Sequence, residues 1–328
     1  MSEYKEIKGI KVQDLGADPP APFAGQVWYN NSSGDLKYFA IQPGAWATGG
    51  AMGTARQALG NAGTQTAGLA FGGNANPPIT NVTEEYDGSA WTAGGNLGTA
   101  RSYVGGCGTQ TAGLGFGGFN PANPVNPSNA TEEYNGTSWT AGGNLGTAGN
   151  SMGGAGIQTA ALGIARGPSA STLVEEYDGS AWTAGGSLPF ARKAPAAAGI
   201  QTAALAFGGE TPTEAQTAST EEYDGSTWTA GGNLNTARER LSGAGIQTAA
   251  LAFGGSIGPS TYTAVAEEYD GSVWTNTSSL PATFSHGGGA GTQTAGLAFG
   301  GRDPVNAVVN STYEYDGGGP ATLIIGTN

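Results

Sequence analysis

Short apolar segments alternate with turns rich in Gly, Asn, Asp and Thr along most of the chain, and no stretch has helical periodicity. One group holds four such segments, which we call strands a (56–63), b (67–73), c (82–86) and d (89–94). Strands c and d are joined by Asp87-Gly88, a pair that favours a tight type I′ hairpin turn. The pattern therefore predicts a four-stranded antiparallel unit.

This group recurs along the chain with two markers at the same spacing. A tryptophan marks strand d and a Gln-Thr-Ala triplet marks the turn between strands a and b, both at intervals of 43 to 48 residues. The tryptophans are Trp46, Trp91, Trp139, Trp182, Trp228 and Trp274, and the glutamines are Gln65, Gln110, Gln158, Gln201, Gln247 and Gln293. Four short strands in each repeat of this length are typical of a propeller blade. We predict an all-β fold, a six-bladed β-propeller of four-stranded antiparallel blades.

The two ends of the repeat array complement each other. The last strand c contains Tyr315, but Pro320 occupies the place of its tryptophan, whereas Trp46 has no strand c before it. We predict a strand-swap ring closure, in which the Trp46 strand completes the blade of Tyr315 and leaves no free edge. The alternative is that residues 322–325 supply the missing strand.

The first forty residues differ from the repeats. Segments 26–30 and 35–39 flank Asn-Ser-Ser-Gly, which predicts a hairpin. We therefore expect two domains, an N-terminal arm and hairpin at 1–40, which docks on a partner, and the propeller at 41–328. The candidate docking residues are Val27, Trp28, Tyr29 and Tyr38.

The residues that repeat without change are expected to be scaffold. A buried tryptophan removes about 150–250 Å² from water, roughly 4–6 kcal/mol gross, so we place each repeat tryptophan between neighbouring blades. Glu84 and Glu85 point to opposite faces of a strand, which excludes them as a catalytic pair. We interpret them as solvated or blade-spacing charges.

Variation is concentrated on one face. All length differences lie in the b–c loop, and this loop shares a face with the d–a loop in an up-and-down blade. We call it the variable face, and loops on a rigid scaffold commonly carry binding. The alternative is that these loops tolerate sequence change without having a binding role. The candidate partner-binding residues are Tyr103, Phe119, Lys193, Glu239, Arg240, Tyr262, His286 and Arg302.

Composition narrows the function classes. The net charge is −13 and the twelve Lys and Arg residues form no run, which disfavours nucleic acid and anionic membranes as partners. Cys107 and His286 are the only residues of their types, too few for a His/Cys metal site or a copper centre. Cys107 occupies a small-residue position and is expected to be packing. We expect no enzyme activity, no cofactor, no metal, no membrane insertion and no signal peptide.

The repeat resembles the kelch repeat. A double glycine, Tyr, Trp and Arg follow one another at Gly72-Gly73, Tyr86, Trp91 and Arg101. The resemblance covers about residues 46–316 and implies a β-propeller. Ala165-Arg166 replaces one glycine pair, and Gly149 and Phe284 replace two arginines.

The segment 25–38 is similar to short segments in virion proteins of tailed bacteriophages, particularly marine ones. That similarity implies a structural protein of the virion, a tail or capsid-surface (decoration) component made in the host cytoplasm. Its partners would be other virion proteins, and its variable face would contact a host glycan or receptor. A glycan-binding, lectin-like propeller of a cell or secretome is the alternative.

Overall fold

The computed structural model describes residues 12–23, 25–122, 126–165 and 169–325, and in these ranges the regular structure is β-strand without helix. Two compact units divide the chain. One comprises Met1–Ala45 with Gly317–Asn328, and the other comprises Trp46–Asp316. We refer to them as the arm unit and the repeat unit.

Thirty strands are present in the described residues. The first eight are β1 Gln13–Leu15, β2 Val27–Asn30, β3 Asp35–Gln42, β4 Ala45–Thr48, β5 Gly60–Thr64, β6 Ala67–Phe71, β7 Thr83–Tyr86 and β8 Trp91–Ala93. The next twelve are β9 Gly105–Gly108, β10 Gly113–Phe116, β11 Thr131–Tyr134, β12 Trp139–Ala141, β13 Gly153–Ile157, β14 Ala160–Ile164, β15 Val174–Tyr177, β16 Trp182–Ala184, β17 Ala196–Ile200, β18 Ala203–Phe207, β19 Thr220–Tyr223 and β20 Trp228–Ala230. The last ten are β21 Ser242–Ile246, β22 Ala249–Phe253, β23 Ser256–Gly258, β24 Thr261–Tyr262, β25 Ala266–Tyr269, β26 Trp274–Thr277, β27 Gly288–Gly291, β28 Ala295–Phe299, β29 Thr312–Asp316 and β30 Gly319–Ile324.

The repeat unit consists of four-stranded antiparallel sheets, as predicted. Sheets 1 to 4 are β5–β8, β9–β12, β13–β16 and β17–β20; sheet 5 is β21, β22, β25 and β26; sheet 6 is β27, β28, β29 and β4. A two-stranded hairpin, β23–β24, lies in the b–c loop of sheet 5. The repeated sheets give a β-propeller-like fold.

Sheet 6 combines strands from both ends of the repeat unit. β4, which carries Trp46, lies beside β29, and the Gly49 amide donates to the Thr312 carbonyl at 3.0 Å. This pairing is the one predicted for Trp46 and Tyr315. The alternative, a strand from residues 322–325, is wrong because β30 pairs with β3 instead.

The arm unit has its own mixed sheet in the order β1, β2, β3 and β30. β2 and β3 form the predicted hairpin, with Val27 opposite Tyr38, and β1 runs parallel to β2. The predicted domain boundaries at residues 40 and 328 are corrected by the pairing of β30 with β3. The C-terminal strand belongs to the arm unit because β3 takes up its backbone hydrogen bonds, from Lys37–Ile324 to Gln42–Gly319.

The turn between strands c and d differs from the type I′ turn expected of Asp-Gly. Tyr86 pairs with Trp91, so four residues connect the strands, and only Gly88 has a positive φ, +91°. The Asp87 carboxylate accepts hydrogen bonds from the amides of Ser89 and Ala90, both at 2.8 Å. The aspartate therefore closes the turn with its side chain, as Asp residues do in Asx-turns.

The repeated side chains join each sheet to the one before it. Each strand-c tyrosine hydroxyl donates to the glutamate that directly precedes the tyrosine of the preceding sheet, as Tyr134 does to Glu85 at 2.5 Å. The pairs are Tyr86–Glu314, Tyr134–Glu85, Tyr177–Glu133, Tyr223–Glu176, Tyr269–Glu222 and Tyr315–Glu268. Each marker glutamine also donates to the carbonyl of the preceding sheet's tyrosine, at 2.6–2.8 Å. In both series the residue of sheet 1 bonds to sheet 6, the last sheet of the repeat unit.

The tryptophans pack between sheets, as predicted. Trp274 lies 4.9 Å from Phe207 of sheet 4 and 4.9 Å from Tyr269 of its own sheet, measured between ring centroids. Its indole N–H donates to Thr220 at 3.0 Å. Corresponding pairs with the preceding sheet are Trp46–Phe253, Trp91–Phe299, Trp139–Phe71 and Trp182–Phe116. Cys107 is buried among such groups, and burial raises its thiol pKa to about 12.

The first glutamate of each Glu-Glu pair is buried, which corrects the interpretation of these residues as solvated. Glu84 pairs with the fully buried Arg56 at 3.0 Å and accepts a hydrogen bond from the Gly53 amide. The same pair recurs as Arg101–Glu132, Arg192–Glu221 and Arg238–Glu267. In sheet 6, Phe284 and Tyr313 occupy the two positions and pack in one cluster. The second glutamates do have the expected spacing role.

The tyrosine series predicts loss of stability in alkali. Burial and the hydrogen bond to glutamate raise the pKa of Tyr86, Tyr134, Tyr177, Tyr223 and Tyr269 from 10.0 to about 12. Because the folded pKa is the higher one, this stabilisation is complete below pH 10 and is lost as the pH rises through 12. We expect the free energy of unfolding, measured with denaturant, to fall between pH 10 and 12.

A Tyr269→Phe variant is the control for this pH dependence, since it removes one hydroxyl of the series. Its unfolding free energy should depend less steeply on pH above 10. An unfolding free energy that stays constant between pH 10 and 12, or one that falls equally steeply in Tyr269→Phe, would contradict the assignment.

Candidate binding site at the mouth of the channel

A closed ring of backbone hydrogen bonds lies where the d–a loops enter strand a. The Tyr103 amide donates to the Ala58 carbonyl at 2.6 Å, and the Ala58 amide donates to the His286 carbonyl at 2.6 Å. The remaining bonds, of 3.0–3.2 Å, continue the series through the other sheets. We call these six residues the mouth ring: Ala58, Tyr103, Ser151, Ala194, Arg240 and His286.

Every residue of the mouth ring has a positive φ, between +50° and +58°. Such a backbone is normally occupied by glycine, and a side chain there costs about 1–3 kcal/mol. The chain has 60 glycines, yet none stands in this ring. The side chains are kept at strained positions and differ from sheet to sheet, while the backbone bonds stay the same.

The mouth ring lines a cavity of about 120 Å³. The first strands of neighbouring sheets lie side by side around it, from β5 through β9, β13, β17, β21 and β27 back to β5. A second cavity of about 100 Å³ adjoins the first at a layer of small residues, where Asn61 donates to the Gly289 carbonyl at 2.5 Å. Together they form an axial channel whose first opening is at the variable face.

Sheets 4 and 5 place a charged cluster at this opening. Lys193 pairs with Glu210 at 3.0 Å, and Arg240 lies 3.4 Å from Glu239 and 3.9 Å from Glu210. Burial, followed by the hydrogen bond with Glu210, raises the pKa of Glu239 to about 7. Burial opposes ionisation of Glu210 too, but its bonds to Glu239 and Lys193 lower its pKa. The two carboxyls therefore share a proton near neutral pH.

Sheets 5, 6, 1 and 2 together contribute an aromatic and cationic cluster at the same opening. Arg302 donates to Gln57 and Asn306, and Tyr262 donates to Asn306 at 2.6 Å. The His286 ring lies 6.1 Å from Tyr262 and 6.5 Å from Tyr103, each in edge contact. Burial, with Arg240 and Arg302 nearby, lowers the His286 pKa to about 3, so the imidazole is neutral at physiological pH.

The structure brings most of the sequence-predicted face residues together. Tyr103, Arg240 and His286 line the cavity, while Lys193 and Glu239 immediately precede ring residues. Phe119 lies one strand further out, paired with Ser102. Arg302 and Tyr262 join through Asn306. Sequence reasoning missed Glu210 and Asn306. The signal for Glu210 was its place directly after a double glycine, where a bridge pairs it with Lys193.

The four proposed docking residues differ in how deeply their side chains are buried. Trp28 is fully buried and donates to the Asp18 carboxylate at 3.0 Å, so it cannot present its indole to a partner as predicted. The alternation along β2 turns Trp28 inward and leaves Val27 and Tyr29 half-buried, and Tyr38 on β3 is half-buried as well. A docking role for Val27, Tyr29 and Tyr38 stays a prediction.

The described part of the chain shows no group of three or more His, Cys, Asp or Glu side chains arranged to hold a metal ion. None of its segments is a helix with the length and apolar character needed to cross a membrane.

Comparison with known proteins supports the fold class. The chain matches no protein-family model, and no curated protein matches it in sequence. A solved structure entitled "Structure of YjhT" is similar to it with a TM-score of 0.68 at 12% identity, covering 80% of this chain and 95% of that one. The likeness and the repeated sheets indicate a β-propeller, kelch-like fold. Because 358 chains of solved structures match, the fold by itself selects no function.

Proposed function

We propose that this protein is a non-enzymatic binding protein of a bacteriophage virion, a tail or capsid-surface component, built on a closed six-bladed β-propeller. Three cyclic series of contacts support the blade count: the tyrosine–glutamate pairs, the glutamine–carbonyl bonds and the mouth ring. Each passes once through sheets 1 to 6. The virion role rests on the similarity of segment 25–38 to virion proteins.

The main support for a binding role is the geometry of the mouth ring. Six side chains at strained backbone positions converge on one cavity, and they are the positions at which otherwise similar repeats differ. Strain of this kind is found at sites where a side chain must be held in one place. The partner is a host surface glycan or receptor, or a neighbouring virion protein.

The ends of the repeat unit support an anchoring role for the residues outside it. Trp46 and Asp316 both lie at the c–d end of sheet 6, away from the variable face. The docking role proposed for Val27, Tyr29 and Tyr38 therefore concerns a part of the chain that is joined to the repeat unit at this end.

Charge reversal at the mouth tests the binding face. We expect Glu239→Lys, Arg240→Glu and Arg302→Glu each to weaken binding to host cells or to the virion partner by at least about tenfold, or ~1.4 kcal/mol. Matched controls on the opposite face are Ala90→Lys and Ala181→Glu, whose exposed side chains lie in c–d turns. Loss of binding in these controls with retention in the mouth variants would place the site on the wrong face.

The virion assignment has its own test. Full-length protein should be found in purified particles at a fixed stoichiometry, and residues 45–316 alone should fold without entering them. Recovery only from a host secretome would favour the lectin-like alternative, for which the half-exposed rings of Tyr103 and Tyr262 beside His286 offer stacking surfaces.

A further inference from the structure

The distribution of cations in the repeat unit is uneven. Seven Lys and Arg side chains lie in its described residues, and four of them, Arg56, Arg101, Arg192 and Arg238, are buried against glutamates inside the sheets. The other three are Lys193, Arg240 and Arg302, and all stand at the channel mouth. In a chain of net charge −13, the three cations of the repeat unit's described residues that are not buried inside the sheets therefore lie together at one opening.

The carboxyl groups at the mouth do not cancel this charge. Glu210, Glu239 and Asp303 accompany the three cations. Glu239 Oε2 is buried without a hydrogen-bond donor among the described residues, and burial and the interaction with Glu210 raise the pKa of this carboxyl. Arg302 is held by the neutral side chains of Gln57 and Asn306 and by no carboxylate in the described part of the chain. Below about pH 7, where Glu239 is protonated, the mouth therefore has more positive than negative charges. A cleft that concentrates one sign of charge raises the local concentration of the opposite one.

The geometry of the opening restricts the size of the ligand. A cavity of about 120 Å³ has room for a small group of a larger ligand but not for a folded domain. Arg240 and Lys193 keep 33% and 27% of their side-chain surface exposed, so both can reach a group in the opening. The neutral imidazole of His286 lies between Tyr103 and Tyr262 and gives the floor a polar atom without adding charge.

From these observations we infer that the channel mouth binds a small anionic group, a carboxylate or sulfate carried at the end of a saccharide, through Arg240, Arg302 and Lys193. The inference rests on the proposed function, because it names the chemistry recognised at the same face. Arginine suits this task since its planar donors match two oxygens of an oxyanion. The tyrosine rings flanking His286 supply an apolar surface for the sugar ring.

His286 makes a single-residue test possible, because it is the only histidine in the chain. Untagged full-length protein labelled only at histidine gives one imidazole spectrum, which reports directly on the mouth. The probes are glucuronic acid, glucose 6-sulfate, glucose and sodium sulfate, titrated at constant ionic strength. We expect the two acidic sugars to shift the His286 resonances saturably and glucose to leave them unchanged. A shift from sodium sulfate would support the anion site and separate the contribution of the oxyanion from that of the sugar.

Variants then test which cations contribute to binding of the acidic sugars. Arg240→Gln and Arg302→Gln should each weaken the acidic-sugar affinity by at least about tenfold, whereas Lys37→Gln, which removes a cation of the arm unit, should leave it unchanged. Each variant's unfolding midpoint confirms that it is folded. Equal shifts with glucose, no shift with any anion at about 50 mM, or equal loss in Lys37→Gln would overturn the inference. If no anion binds but the mouth charge reversals still abolish partner binding, the ligand chemistry is wrong and the proposed face stands.

Discussion

A fragment of residues 45–316 should fold into a stable monomer, whereas a fragment of residues 50–316 should be strongly destabilised and aggregate. The second fragment lacks β4, which leaves β29 as an open edge and removes Trp46 from its contacts with Phe253 and Tyr315. Loss of a packed tryptophan alone costs about 3–5 kcal/mol, and an exposed strand edge pairs readily with other chains.

Guanidinium denaturation and size-exclusion chromatography of the two fragments measure this difference. The 45–316 fragment is the matched control, since both fragments lack β1–β3 and β30 and differ only in residues 45–49. Equal midpoints and a monomeric 50–316 fragment would show that β4 contributes nothing to sheet 6.

Breaking the buried Arg238–Glu267 ion pair should have the second large effect on stability. Both side chains are fully buried, their N–O distance is 2.8 Å, and Arg238 also donates to the carbonyls of Gly254 and Val265. Burial lowers the pKa of Arg238 to about 10, so it remains charged at neutral pH despite its surroundings. Replacing it by Met leaves Glu267 buried without its cation, and we expect a loss of about 3–5 kcal/mol in the free energy of unfolding.

The chain supplies its own control for this experiment. Sheet 6 has Phe284 and Tyr313 at the same two positions, so the double variant Arg238→Phe/Glu267→Tyr replaces the ion pair with a combination that this fold already accepts. We expect it to recover most of the stability lost in Arg238→Met. If Arg238→Met unfolds at the same denaturant concentration as the unchanged protein, the pair contributes little.

The architecture was predictable because its determinants are local or repeated. Trp46 and Gln65 recur with their equivalents at matched spacing, and each marker proved to be a contact between sheets. The unmatched Trp46 and Tyr315 also predicted the pairing of β4 with β29. Repetition reveals which residues are scaffold even where it does not reveal what each one touches.

Other features depended on contacts that the repeat pattern does not display. Arg56 and Glu84 are far apart in sequence, and adjacent glutamates suggested solvent exposure rather than a buried partner for one of them. The joint change to Phe284 and Tyr313 in the last repeat was the available signal. The pairing of β30 with β3 was missed because a short apolar strand at the C-terminus fits either sheet edge.

Under the proposed function, the mouth ring separates specificity from stability. Its hydrogen bonds use only backbone atoms, and the six side chains that extend from it differ among the repeats. Substitutions at these positions can therefore change what the opening recognises without disturbing a tyrosine, glutamine or tryptophan that joins two sheets. Such a ring is an array of six exchangeable side-chain positions, suited to diversification under selection while the scaffold remains the same.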